Sequence, residues 1–531
     1  MKKIVSLLLL VCMLACVLPS LSLAEEGWTT LRVECFDRNI AGFDVTNCMQ
    51  LRYIQENFGD PNKIKVEFVS VPRWSETEVL NTQLAGKVAP DICFTYDSNL
   101  IQQYIEMGGI LPLNDLIAEY GQNLSAFLTE QVLEYGQNDV DGEKVQYFIP
   151  ARRIHTARLN VFVRGDFLEK LNMAEPATTE ELIAYLYAVQ ENKLGGETTI
   201  PWCHFLSNEY PVDSISLIND AFVDFSKVSA EDWYAMASLR EALPGVKEGY
   251  RMMNKMYNDG ILPESFSLGA DLGNQTTAMV QGYTGMFISQ VDQPWRADSA
   301  YQQELSKNVP GAYWTAVNAF TNANDGKTWH ETYAANGLGI FVPAWVSEDV
   351  AAAAVKYLDW MATPENMFVL QNGVEGVNYL SVNEDGIPVQ VQPIDSVPDE
   401  YKMHATDVCI LSNGLNYNSD ELNNKAVALG FAGYEDEVAK SYGYAYAGGF
   451  PPATFTVPIQ AEIDYGQMII SKQAEFVSNV VTCSPEEFDA VYDQFLQSTM
   501  DVGGVEIVEQ KREAFQNGLI RGVFPPDFIT E

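Results

Sequence analysis

The segment from Tyr147 to Tyr187 constrains the fold of this chain more than any other. Tyr147, Phe148 and Ile149 form a short apolar run stopped by Pro150, and Leu159 to Val163 supplies a second run of apolar and β-branched residues. A strand that leaves one sheet here is expected to enter another. Thr178, followed three residues later by Glu181, is a capping box with Pro176 just upstream, and Leu182, Ile183, Leu186 and Val189 then repeat at helical spacing. One helix face is thereby committed to a core. The segment reads as a crossover between two lobes, followed by a docked helix.

The residues upstream alternate between strand and helix patterns. Thr30 to Phe36 reads as a strand, Asn47 to Phe58 as a helix and Ile64 to Val71 as a second strand; Ser75 with Glu78 caps a helix ending near Gly86, and Pro90-Asp91 opens a third strand. This rhythm predicts an α/β lobe with a mostly parallel, doubly wound sheet, whose ligands gather at loops beyond the carboxyl ends of the strands. Trp74 and the Tyr96-Asp97 pair fall in such loops.

At 531 residues the chain exceeds what one hydrophobic core usually holds, so two domains or one large composite are expected. Lys plus Arg total 32 against 72 Asp plus Glu, a formal net charge of -40, which lacks the basic footprint that binding nucleic acid requires. A hydrophobic content of 47% argues against disorder despite that charge. The amino terminus carries Lys2, Lys3 and a nearly continuous apolar run closing on Ser22-Leu23-Ala24, the pattern of a secretory signal cut after Ala24. The alternative is lipidation at Cys16, preceded by Leu14 and Ala15. Beyond the leader, no segment has the ~18 to 20 uninterrupted apolar residues of a bilayer span. Cys35, Cys48, Cys93, Cys203, Cys409 and Cys483 remain, widely spaced and without a CxxC pair, so neither a zinc site nor a disulfide pairing is assigned.

Several stretches carry a family resemblance. The segment VLNTQLAGKVAPDICFTYD, Val79 to Asp97, is similar to the helix, Gly turn and Pro-Asp-Ile strand of family 1 extracellular solute-binding proteins, receptors that deliver ligands to ATP-binding-cassette (ABC) importers. The crossover, the TTAMVQGYTGMFISQ stretch at Thr276 to Gln290, and the helix Val350 to Met361 leading to TPEN follow in the family's order. NGVEGVNY, Asn372 to Tyr379, resembles the signature of the long oligosaccharide-receptor branch, and Ala490 to Gly518 resembles its carboxyl-terminal helices. The resemblance implies a periplasmic-binding-protein fold of the second type, two α/β lobes closing on ligand about several crossovers. It also implies a monomeric receptor without cofactor, working outside the cell with membrane permease subunits. The lobes are placed at residues 25–151 with 289–345, and at 152–288 with 346–531. The segment from Ser381 to Ala447 reads as surface loops on the second lobe, with Tyr442, Tyr444 and Tyr446 near the cleft.

A saccharide receptor needs flat aromatic platforms for pyranose C–H faces beside carboxylates, amides and guanidinium groups for hydroxyls. Trp74, Trp202, Trp295 and Trp314 are the candidate platforms, each beside a predicted strand end, turn or crossover; the competing reading of each is a core or rim residue. Tyr96 lies in a ligand-facing loop, and Asp97 beside it competes with a role as helix cap. Arg152 and Arg153 follow Pro150, where they either donate forked hydrogen bonds to ligand or pair with carboxylates across the hinge. Asp292 accompanies Trp295 in the second crossover, and Asn336 precedes Gly337 before another strand. Glu375 and Tyr379 enter through the family signature alone. The rival function is a secreted glycoside hydrolase, equally acidic and aromatic, for which paired carboxylates discriminate nothing in so acidic a chain. No GxSxG, HExxH or P-loop pattern is present, and the four histidines, His155, His204, His330 and His404, are scattered. An adhesion or scaffold protein is a third reading, unsupported by any fixed repeat period.

Overall fold

A computed structural model describes residues 27–528 apart from 41, 141, 208–210, 213–214, 269–271, 297–298, 392–395 and 418. The leader with Cys16 and Ala24 lies outside the described residues. In the first lobe Thr29–Asp37 and Ile64–Pro72 pair in parallel, Thr29 against Ile64 through Asp37 against Pro72. Leu31, Val33 and Cys35 point inward at the two-residue period of a strand. A four-stranded sheet continues the lobe in the order Ser412–Asn413, Ile149–Arg153, Asn336–Phe341, Cys93–Thr95. The second lobe has its own sheet in the order Trp314–Val317, Leu159–Arg164, Thr284–Gln290, Ile200–Trp202.

Both sheets are mixed rather than mostly parallel. Ile149–Arg153, which leaves the first lobe, runs antiparallel to Asn336–Phe341, which returns to it. Leu159–Arg164, which enters the second lobe, runs antiparallel to Thr284–Gln290. The reason is topological, since a strand leaving through the hinge and a neighbour coming back through it point in opposite directions. The capping box forms as expected: Thr178 Oγ1 accepts from the Glu181 N–H at 3.2 Å, and Leu182, Tyr185, Leu186 and Val189 of helix Thr179–Glu191 are buried in the second core. The Ser75 box does not; a turn of 3-10 helix at Arg73–Ser75 precedes helix Glu76–Ala85, and Ser75 makes no side-chain cap bond.

The described residues place the lobes differently from the sequence expectation. Trp314–Val317 pairs with Leu159–Arg164, so the return to the first lobe comes only after Glu331, not near 289. Helix Glu348–Met361 then stays on the first lobe, burying Ala351, Val355 and Leu358 in the same core as Leu31 and Ile149. Its apolar face follows strand Asn336–Phe341 after a short loop, too short to reach the other core. Val408 to Leu411 also belong to the first core, and Ser412–Asn413 pairs with Arg152 and Arg153. Only beyond this strand does the chain return to the second lobe, where Phe450, Phe476 and Tyr492 join the core containing Leu182.

Candidate functional site

A cavity of about 460 Å³ lies between the lobes. The first lobe contributes Ser98, Asn99, Tyr135, Gln137 and Asn138; the second contributes Ser238, Phe455, Lys511 and Arg521; Glu331 and Asn336 line it from the crossover. Its volume falls in the range of small-molecule sites, and its walls mix aromatic faces with hydroxyl, amide and charged groups. The two sides already touch. The Arg521 guanidinium lies 5.1 Å from the Tyr135 ring centroid and donates to the carbonyls of Glu134 and, at 3.4 Å, Gln137.

Charged groups on the walls are organised in pairs. Glu331 meets Arg158 at 3.2 Å and also binds Arg240, which reaches the fully buried Asp220 at 2.6 Å. Asp220 Oδ2 accepts the Glu331 N–H at 2.9 Å, closing the network, and Arg240 lies 4.4 Å over Trp233. The buried Asp220 and the half-buried Glu331 beside two guanidinium groups meet the requirement that charge removed from water be paired. Nearby on the second lobe the buried Lys511 pairs with Glu462 at 2.6 Å, bonds Ser238 Oγ, and lies 5.5 Å from the Phe455 ring.

A second cavity of about 640 Å³ is lined by Arg73, Trp74, Glu76, Glu78, Tyr96 and Asp97. The Arg73 guanidinium sits 5.0 Å from the rings of both Phe36 and Tyr96 and 5.6 Å from Trp74. Trp74 is 79% exposed, a large apolar face open to solvent. Tyr96 Oη accepts from Asn413 Nδ2 at 2.7 Å. Asp97 caps helix Ser98–Glu106, its Oδ1 accepting the Leu100 N–H at 3.0 Å, while the next residues of that helix, Ser98 and Asn99, line the interlobe cavity. The two cavities thus meet at one helix start.

Three of the four candidate platforms are core residues. Trp314 is fully buried, with Phe287 edge-on at 4.8 Å and 90°. Trp202 is buried beside His204, whose imidazole burial pushes down to about 4. Trp295 is buried against Phe162, edge-on at 5.7 Å. None of these rings is open to a ligand. Asp292 is likewise enclosed, paired with Arg296 at 2.9 Å and accepting from Tyr442 Oη at 3.3 Å. Tyr442 and Tyr444 of helix Glu435–Tyr446, with Tyr446 at its end, pack in the cluster that holds Trp295 and Trp314. Glu375 is exposed and Tyr379 packs edge-on to Phe368 at 6.0 Å; neither lines either cavity. Arg152 turns to Phe127, bonding its carbonyl at 3.4 Å. The Arg153 guanidinium lies 4.3 Å over the Tyr333 ring and donates from Nε to the Asn336 carbonyl at 3.3 Å.

Sequence reasoning passed over Tyr135, Glu331, Phe455, Lys511 and Arg521. The run Pro451-Pro452-Ala453-Thr454-Phe455-Thr456-Val457-Pro458, proline at both ends and alternating hydroxyl with apolar residues between, was the available signal for a wall-forming loop. All six described cysteines are free, and burial pushes the Cys203 and Cys409 thiols up to about 12.

The sequence model of the bacterial extracellular solute-binding proteins matches residues 54–385. The chain belongs to this family. Its members are extracellular binding proteins, and among the described residues no helix is long and apolar enough to cross a membrane. No curated protein matches the sequence. Solved structures share the fold. The alginate-binding protein AlgQ2 without calcium is 18% identical, with a TM-score of 0.61 over 93% of this chain and 99% of that one. The S. pneumoniae ABC-transporter substrate-binding protein FusA in complex with kestose is 15% identical, with a TM-score of 0.65 over 92% and 99%. An HMO-binding, ABC-transporter-associated solute-binding protein from Bifidobacterium longum infantis is 14% identical, with a TM-score of 0.63 over 93% and 99%. The architecture is the two-lobed periplasmic-binding-protein fold of the second type.

Proposed function

We propose that this solute-binding protein is the substrate receptor of an ABC importer, and that it captures an oligosaccharide in the interlobe cavity and passes it unaltered to a membrane permease. The observation that carries the reading is the cavity of about 460 Å³, walled by Tyr135, Phe148 and Phe455 beside Asn99, Gln137 and Asn138. Aromatic faces for C–H surfaces and amides for hydroxyls are what a pyranose chain requires. The kestose, alginate and HMO ligands named for proteins of the same fold support that ligand class.

Both carboxylates on the cavity wall, Glu331 and Glu462, are engaged by cations, an arrangement that orients a ligand without moving protons. Capture proceeds by closure about the crossovers, and the closed form, a monomer, docks on the permease. Export follows cleavage after Ala24, or the protein is held at the membrane by lipid on Cys16. Trp74 and Tyr96 extend the site along the first lobe. The test is calorimetric titration with fructo- and milk-type oligosaccharides on the wild type and Tyr135→Ala, paired with small-angle scattering. Binding weakened about tenfold or more in the variant, with a smaller radius of gyration in the bound wild type, is the expected result. Unchanged affinity and no contraction refute the site.

A further inference from the structure

Resting on the receptor reading, we propose that Arg153 forms an anion subsite between the two cavities, and that the saccharide taken there carries carboxylate groups, as uronic acids do. The guanidinium is held on two sides. Its central carbon lies 4.3 Å over the Tyr333 ring, and the Nε–H bond to the Asn336 carbonyl at 3.3 Å holds its orientation. The backbone is pinned as well, the Arg153 N–H reaching the Ala335 carbonyl at 2.8 Å. What remains is the edge bearing the two terminal nitrogens. Among the described residues they have no hydrogen-bond partner, and they are not among the nitrogens sealed from solvent. That edge matches a planar carboxylate, which accepts two parallel N–H bonds.

Three nearby basic side chains are matched, Arg38 with Asp407 at 2.5 Å, Arg73 with Glu76 at 3.9 Å and Arg158 with Glu331 at 3.2 Å, whereas Arg152 makes a hydrogen bond to the Phe127 carbonyl and, like Arg153, has no carboxylate partner among the described residues. Among the described residues Arg153 has no carboxylate partner, in a chain with 72 acidic side chains for 32 basic ones. Arg153 itself lines neither cavity, but its partners do. Asn336, which it binds, lines the interlobe cavity, and Tyr96, which feels its field, lines the second. Tyr96 Oη already accepts from Asn413, so its own proton is available to a ligand oxygen. The net charge of -40 opposes the approach of a polyanion, but at physiological ionic strength such repulsion is screened beyond about 8 Å, and the local partner decides.

The experiment is calorimetric titration of the full chain with galacturonate and mannuronate trisaccharides, and with the same sugars after reduction of their carboxyl groups to alcohols. The expected result is that an acidic member binds about 10- to 100-fold more tightly than its reduced counterpart, the scale of a charge-assisted hydrogen bond. Arg153→Gln removes that preference, and Arg153→Lys, which keeps the charge without the fork, restores part of it; thermal midpoints equal to wild type show that both variants fold. Equal affinity for acidic and reduced sugars overturns the subsite and leaves the receptor reading standing. Discrimination unchanged in Arg153→Gln overturns the assignment to this residue. If neither the acidic nor the reduced sugars nor the neutral fructo- and milk-type oligosaccharides bind, the receptor reading falls along with the subsite.

Discussion

Replacing Glu241 by glutamine is expected to stabilise the protein at neutral and alkaline pH and to leave it nearly unchanged in acid. Glu241 is 1% exposed, and Oε1 accepts from Gln473 Nε2 at 2.9 Å with no cation paired to it among the described residues. Burial pushes the carboxyl up to about 7 from an ordinary value of 4.5. A carboxyl whose folded-state value is raised holds its proton in the folded chain while the unfolded chain has lost it. Stability is therefore undiminished below pH 4.5 and is lost progressively as pH rises from there to about 7. At about 1.36 kcal/mol per unit, the interval is worth about 3 kcal/mol. Glutamine keeps the acceptor for Gln473 but adds an amide that must find partners, offsetting about 1 kcal/mol, so the net gain is about 2 kcal/mol above pH 7. For cooperative unfolding of a chain this size that is about 2 °C in Tm, and the midpoint of urea unfolding moves with it. Gln473 also holds the carbonyl of Ser238, a cavity residue, so ligand affinity is expected to stay at the wild-type value. Urea titrations at pH 5 and pH 8 decide the matter. Equal effects at both pH values, or a loss at pH 8, would show that Glu241 is not a buried carboxyl that keeps its proton on folding.

Three further outcomes follow from the same geometry. Arg240→Met leaves Asp220 buried without its cation and is expected to cost about 3 to 5 kcal/mol, read from urea unfolding. Trp314→Ala opens a cavity in a closed cluster and costs about 3 to 5 kcal/mol, whereas Trp74→Ala, at an exposed position, changes stability by less than about 0.5 kcal/mol and weakens ligand binding; denaturation with calorimetric titration separates the two. His204 has its folded value lowered to about 4, so the unfolded chain takes up its proton first, and stability falls as pH drops from 6.5 towards 4 by about 3 kcal/mol in total. His204→Gln is expected to flatten that acid limb in urea titrations between pH 4 and 7.

Much of the fold was legible because its local signals are strong. The Thr178–Glu181 capping box and the period of Leu182, Leu186 and Val189 give a helix with one buried face, and the expected crossover is present, although Pro150 sits within strand Ile149–Arg153 and the sheet changes only between Arg153 and Leu159. The lobe boundaries were less legible. Nothing local distinguishes helix Glu348–Met361 on one core from the same amphipathic helix on the other, and the third passage depends on the pairing of the two-residue strand Ser412–Asn413. The aromatic site was least legible. A tryptophan beside a strand end serves equally as platform or core, and Trp202, Trp295 and Trp314 fill cores while Trp74 does not. The second wall of the cleft comes from the Pro452 loop and from Lys511 and Arg521 on late elements, whose proximity to Tyr135 is tertiary and leaves no trace in sequence spacing.

Capture without chemistry separates a receptor from a hydrolase. Calorimetric titration of the mature chain with an oligosaccharide panel, followed by chromatography of the sugar recovered from the same cell, tests it most directly. The expected result is saturable binding at one ligand per chain, with the sugar recovered at its original length. Shortened products, or reducing ends accumulating with time, would contradict it and make the protein a hydrolase.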